Sequence, residues 1–298
     1  MAAANDEECV PICEAYNQAP RRPNYTLPAG ACDTHAHVFG PADCYPYATN
    51  RSYTPPDARL NAYRHMLRTM GFQRAVLVQP SVYGTDNRCM LDAMSQCQDD
   101  EIEWRAVAVV DEGVSDRELE RMDALGVRGI RVNLLFRGGV TFDSAARLAE
   151  RIAPLGWHIQ LLIDVSCFPN LVARLGALPV ESVVDHMGHV PVAKTPDDPG
   201  FQDLLTLVEQ GRTWVKLSGP YRFTAMSSPP YLDVDPFATA LWAANPARVV
   251  FATDWPHPQI PVAVPNDGDL VDDLSRWIPN AKARNRVLVD NPARLYGF

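Results

Sequence analysis

The stretch CDTHAHVF carries Asp33, His35 and His37 two residues apart. In an extended strand that spacing puts all three side chains on one face. Further along, Asp185-His186 follows the apolar run SVV, and Asp254 stands in ATDWPHP. Three histidines and one carboxylate form a set that could hold a single Zn2+ ion through His35, His37, His186 and Asp254, or steer a water molecule. Asp254 is the expected general base, because a partly desolvated carboxylate beside imidazoles can take a proton from attacking water. Asp185 and His257 read either as groups that orient this set or as structural residues.

Arginines form the second group. Arg131 and Arg137 lie in RGIRVNLLFRGG, and Arg222 lies in LSGPYRF. At strand ends their fixed forks would match carboxylate or sulfonate oxygens bidentately, whereas on helix faces they would only be solvated. Taken together they suggest a substrate with more than one negative charge. Tyr53, Ser81, Tyr83 and Tyr221 sit in adjoining segments, where their hydroxyls either orient a polar substrate or pack. Neither Ser81 nor Ser218 has the GxSxG setting of a nucleophile elbow, which argues against a covalent serine mechanism.

These residues need elements that bring them to one place. Eight short β-branched runs supply candidate strands: CDTHAHVF, AVLVQPS from Ala75, RAVAVVD from Arg105, VRGIRVNLL from Val127, HIQLLID from His158, SVVDHMG from Ser182, TWVKLSG from Thr213 and RVVFATDW from Arg248. Amphipathic segments such as LNAYRHMLRTMGF and DSAARLAERIAPLG separate them, several closing on glycine as a helix C-cap does. Strict alternation of strand and helix predicts one (β/α)8 barrel over 31–298, preceded by an extended, proline-punctuated arm over 1–30. The chain has 298 residues, which by length alone also allows two domains, but no linker breaks the series. An open doubly wound sheet is the other competitor, and it lacks its glycine-rich phosphate turn here. In a barrel the active site lies at the carboxyl ends of the strands, where the histidines, Asp254 and the arginines fall.

Net charge is −9, which argues against nucleic acid or an anionic membrane surface as partner. No apolar run reaches the roughly 18 residues of a membrane-spanning helix. The seven cysteines are odd in number and irregularly spaced, and the start MAAANDEECVPIC has neither the basic nor the apolar region of a secretory signal. Free thiols in a cytoplasmic protein are the expectation. Cys9 and Cys13 have no second Cys or His pair at ribbon spacing, so they do not read as half of a metal site. Only Lys194, Lys216 and Lys282 are lysines, so arginines make up the rest of the 27 basic residues, a bias that base composition largely explains. The 26 prolines imply fixed turns and long ordered loops.

GACDTHAHVFGP, LVQPSVYGTDN, VRGIRVNLL, VVDHMGHV, WVKLSGPYR, ATDWPHP and NPARLYGF together resemble the amidohydrolase superfamily. Within it they resemble the branch of 2-pyrone-4,6-dicarboxylate hydrolases and 4-sulfomuconolactone hydrolases. The resemblance implies a distorted (β/α)8 barrel that opens a lactone formed in aromatic-compound catabolism. On that pattern His35, His37 and His186 surround the lactone carbonyl and Asp254 activates water. Arg131, Arg137 and Arg222 hold the acidic substituents, assisted by Tyr53 and Ser81.

Two departures matter. The fourth strand has Arg131 and Asn133 where a metal-bridging residue would be sought, which disfavours a two-metal centre. One Zn2+ ion remains compatible, as in the sulfomuconolactone enzymes, whereas the pyrone hydrolases are thought to need none. No organic cofactor is implied. Leu162 and Tyr83 replace a tyrosine and a histidine of the pyrone hydrolase pattern, which points toward a sulfonated muconolactone. The rival readings are a metal-dependent decarboxylase, with obligatory metal and CO2 release, and a silent barrel that binds an anionic metabolite. Association into a homo-oligomer is left open.

Overall fold

The structure is a computed structural model that describes residues 10–97, 100–136 and 140–298. Eight parallel strands pair in chain order: β1 (Cys32–Ala36), β2 (Arg74–Val78), β3 (Glu103–Ala108), β4 (Val127–Asn133), β5 (His158–Leu162), β6 (Ser182–Val184), β7 (Thr213–Leu217) and β8 (Val249–Phe251). Beyond the last strand the ring closes on the first: Asp254 N–H donates to the His35 carbonyl at 2.9 Å and His37 N–H to the Trp255 carbonyl at 2.8 Å. Helices α1 (Leu60–Met70), α2 (Arg88–Ser95), α3 (Asp116–Ala124), α4 (Phe142–Ile152), α5 (Leu171–Gly176), α6 (Pro199–Glu209), α7 (Asp235–Ala244) and α8 (Asp267–Trp277) form the outer layer. The short α9 (Ala281–Asn285) and α10 (Asn291–Tyr296) follow. The architecture is the predicted (β/α)8 barrel.

Local chemistry sets the helix limits. On α1 the buried residues Leu60, Tyr63, Met66, Leu67 and Met70 recur at three and four, and Gly71 ends the helix at φ +96°. Ser115 caps α3 by accepting from Glu118 N–H, with Glu118 at the third helical position as in a capping box. Strand residues alternate between the helices outside and the barrel interior. Inside, Cys32, Val76, Val107, Val183, Trp214 and Val250 pack with Leu295 and Tyr296 of α10 into a buried plug.

Residues 10–30 contain no helix and run over this chain's own barrel. Cys13 N–H donates to the Thr54 carbonyl at 2.9 Å, and Thr54 N–H donates to the Pro11 carbonyl at 2.8 Å. The Arg21 guanidinium reaches Asp269 at 2.6 Å and Asp272 at 2.7 Å on α8. Cys9 lies outside the described residues. Among those described, no helix is long and apolar enough to cross a membrane.

Candidate active site

Three imidazole nitrogens meet one carboxylate oxygen above the plug. His35 Nε2 and His37 Nε2 are 3.3 Å apart. Asp254 Oδ1 lies 3.7 Å from His35 Nε2, 3.8 Å from His37 Nε2 and 3.7 Å from His186 Nε2. All four side chains are buried, and Asp254 Oδ1 has no hydrogen-bond partner.

The backbone is shaped to deliver them. A bulge in β1 between Asp33 and Ala36 shifts the register against β2. Asp33 therefore does not join the histidines as its spacing predicts. Its carboxylate instead accepts from Tyr63 of α1 at 2.9 Å and from the Thr253 hydroxyl at 2.6 Å, tying the bulge to the end of β8. His186, Met187 and His189 after β6, and Asp254 and His257 after β8, have positive φ. Such clusters of left-handed non-glycine residues are tolerated where the surroundings enforce them, commonly at working sites. Gly219, at φ +59°, leaves room for the His186 ring, since a Cβ there would come within 3.0 Å of His186 Nδ1.

The second oxygen of Asp254 is fully engaged. Oδ2 accepts from Arg222 Nε at 2.7 Å and Nη2 at 2.6 Å, and from the Tyr221 hydroxyl at 2.9 Å. Tyr221 also contacts His257 Nδ1 at 2.8 Å, and His257 Nε2 contacts Asp267 Oδ1 at 3.1 Å. Burial raises the Asp254 carboxyl, but the Arg222 guanidinium beside it pulls it down, and the net position is well below the usual range. Burial also keeps the histidines neutral: His35 falls to about 4, helped by the Lys216 charge, and His37 and His186 fall well below their ordinary value.

One layer deeper, Arg131 Nε and Nη2 both reach Asp185 Oδ2 at 3.3 Å, and Gln160 Nε2 donates to the same oxygen at 3.1 Å. Asp185 Oδ1 faces His35 Nδ1 at 3.2 Å. Buried Lys216 donates to the Thr34 carbonyl at 2.9 Å and to Gln160 Oε1 at 2.8 Å. Burial lowers its pKa to about 8 against the pull of Asp185.

The remaining expected residues fall in different places. Tyr53 is buried beside Ser81 and against Phe136, and its hydroxyl is pushed up to about 12 by burial. Tyr83 stands apart from the cluster: its hydroxyl accepts from Gly40 N–H at 2.9 Å and its ring packs on Phe39 and Tyr47. It supports the loop after β1 instead of facing the histidines. Arg137 lies outside the described residues. Leu162 is buried at the end of β5.

Lys216, Gln160, Ser218 and Asp267 were not expected at the site. A lysine inside the apolar run TWVKL was the available signal for Lys216, and one of only three in the chain. Ser218 contacts His186 Nδ1 at 2.9 Å.

The donor set fits one cation. His35, His186 and Asp254 offer ligand atoms within 4.8 Å of one another. Donors at about 2.0–2.1 Å from a tetrahedral Zn2+ stand about 3.4 Å apart, close to the separations seen here.

Comparison with known proteins agrees with this architecture. The amidohydrolase family model matches residues 32–298. A 2-pyrone-4,6-dicarboxylate hydrolase of Comamonas testosteroni is 41% identical over 93% of each chain. A 4-sulfomuconolactone hydrolase of Hydrogenophaga intermedia is 36% identical over 92% of this chain and 90% of its own. The solved structure of a probable 2-pyrone-4,6-dicarboxylic acid hydrolase from Acinetobacter baumannii, with citric acid bound, has a TM-score of 0.79 at 27% identity, over 90% of this chain and 100% of that one. With a match that runs from the first strand to the last residue, this chain belongs to the amidohydrolase family.

Proposed function

We propose that this protein hydrolyses a small dianionic lactone in aromatic-compound degradation, by direct attack of water on the ring carbonyl. The observation that carries the reading is Asp254 Oδ1, a buried carboxylate oxygen without a hydrogen-bond partner among three imidazole Nε2 atoms. The substrates named for the two relatives, a pyrone dicarboxylate and a sulfomuconolactone, fit a site rich in arginine.

In this reading Asp254 Oδ1 takes one proton from water while the water oxygen bonds to the carbonyl carbon. His35 and His186 face the oxyanion that develops, while His37, whose Nδ1–H is held by the Val78 carbonyl, orients His35 through Nε2. The ring C–O bond then breaks, and the proton passes from Asp254 to the leaving ring oxygen, giving an open-chain acid. Arg131, Arg137 and Arg222 bind the acidic substituents, and Tyr53 and Ser81 orient the ring. Arg222 also holds Asp254 Oδ2, which keeps Oδ1 directed at the histidines. If Zn2+ binds, His35, His37, His186 and Asp254 would hold it, and it would supply Lewis acidity to the carbonyl.

The test is an assay of purified protein against pyrone dicarboxylates, muconolactones and sulfomuconolactones, with metal content measured on the same sample. Ring opening with uptake of one water supports the proposal. Release of CO2, or saturable binding of every compound without turnover, overturns it.

A further inference from the structure

The proposed reaction leaves one buried group without a task. Lys216 Nζ, inside the barrel, bonds the Thr34 carbonyl and Gln160 Oε1, and its third neighbour is His35 Nδ1 at 3.2 Å, aligned as a hydrogen bond. Asp185 Oδ1 is equally near that nitrogen, at 3.2 Å, yet it lies off line and has no hydrogen-bond partner.

Donor counting decides between these two neighbours. A carbonyl oxygen only accepts, so the 2.7 Å contact between His37 Nδ1 and Val78 O fixes the proton of neutral His37 on Nδ1. His37 Nε2 is then an acceptor, and its 3.3 Å contact with His35 Nε2 requires the proton to sit on His35 Nε2. His35 Nδ1 is left as a lone pair, and Lys216 at 3.2 Å is the nearer of the two donors that can fill it, Gln160 Nε2 standing at 3.4 Å.

We infer that Lys216 is a positioning residue that holds His35 in its Nε2–H tautomer and thereby opposes a divalent cation at the His35, His186 and Asp254 donor set. A cation on His35 Nε2 needs a lone pair there. The His35 proton must then move to Nδ1, Lys216 must withdraw its hydrogen, and Asp185 Oδ1 must become the acceptor. Lys216 and Asp185 are rival partners of one nitrogen, and the first favours the cation-free arrangement. The ammonium adds a second antagonism, since it is a like charge to any metal ion beside the same ring. This inference rests on reading the three histidines and Asp254 as the working centre.

Two measurements on metal-stripped protein test it. With 15N-labelled histidine, nitrogen–proton correlation spectra report the tautomer of His35, assigned by its disappearance in His35→Gln. Competition with a chromogenic chelator reports Zn2+ affinity. The expected result is an Nε2-protonated His35 in wild type, an Nδ1-protonated His35 in Lys216→Met, and Zn2+ bound at least tenfold more tightly by the variant. An Nδ1-protonated wild type overturns the inference, a result that does not depend on Lys216→Met folding. Equal Zn2+ affinities, including no binding by either protein, overturn it too. Lactone hydrolysis assayed separately on metal-stripped wild type distinguishes a failure of this inference from a failure of the proposed function.

Discussion

The two ends of the barrel interior are built from the same eight strands and differ in kind. Toward the strand starts, Cys32, Val76, Val107, Val183, Trp214 and Val250 close over Leu295 and Tyr296 of α10. Toward the strand ends, Asp254, Asp185, Lys216, Arg131 and three histidines are buried almost as completely. Burying apolar surface stabilises a fold, whereas burying charges costs solvation that pairing only partly offsets. Stability therefore resides mainly in the plug and the helix layer. The charged end, with its short-spaced histidines and an oxygen left without a partner, is arranged for chemistry at some expense to the fold.

That contrast predicts opposite consequences for one substitution at each end. Asp254→Asn should lower kcat by about a thousandfold or more, equivalent to roughly 4 kcal/mol of activation free energy. Its amide oxygen can still accept from Arg222, so urea denaturation should show a loss of no more than about 2 kcal/mol. Trp214→Ala should remove about 3–5 kcal/mol of stability through the cavity it leaves, with kcat and KM little changed at a temperature where the variant is folded. Steady-state kinetics and urea titration on both variants check the split. An active Asp254→Asn enzyme would break the comparison at its upper end.

Arg222→Met sharpens the picture of the mouth with a smaller effect. An arginine that only binds substrate would alter KM alone. Here the same guanidinium makes two bonds to Asp254 Oδ2. KM should rise about tenfold or more and kcat should fall as well, since the base loses the group that holds it. Kinetics at saturating and limiting lactone separate the two.

The plan of the molecule was readable from local patterns. Each strand run and the helix between runs announces itself through short-range periodicity, and residues just beyond a barrel strand fall at one mouth. That is why His35, His37, His186 and Asp254, which the structure brings together, stand out in the sequence. Asp33 could not be placed, because a single-residue bulge changes which side a residue faces and leaves no mark in the sequence. Lys216 stands inside the apolar run TWVKL, and only the closed ring shows that its face of β7 points into the barrel. Asp267 meets His257 across a loop and the first turn of α8, a pairing that no spacing encodes.

The plug also touches a histidine that makes the comparison quantitative. His158, the first residue of β5, is buried with both ring nitrogens unpartnered and its edge set against Tyr296 at 5.3 Å. Burial, then the Lys216 charge, lowers its pKa from 6.5 to about 3. The folded protein therefore keeps this ring neutral while the unfolded chain protonates it. Its contribution to stability is complete above pH 6.5 and is lost as the pH falls toward 3. At pH 5 the loss from this one ring is about 2 kcal/mol relative to neutral pH, given roughly 1.4 kcal/mol for each unit below the unfolded pKa. His158→Gln removes the titrating group. Urea titrations at pH 7 and pH 5 should then show wild type losing about 2 kcal/mol more than the variant. Equal losses in the two proteins would move the acid sensitivity to the upper end, where His35, held at about 4, follows the same sign.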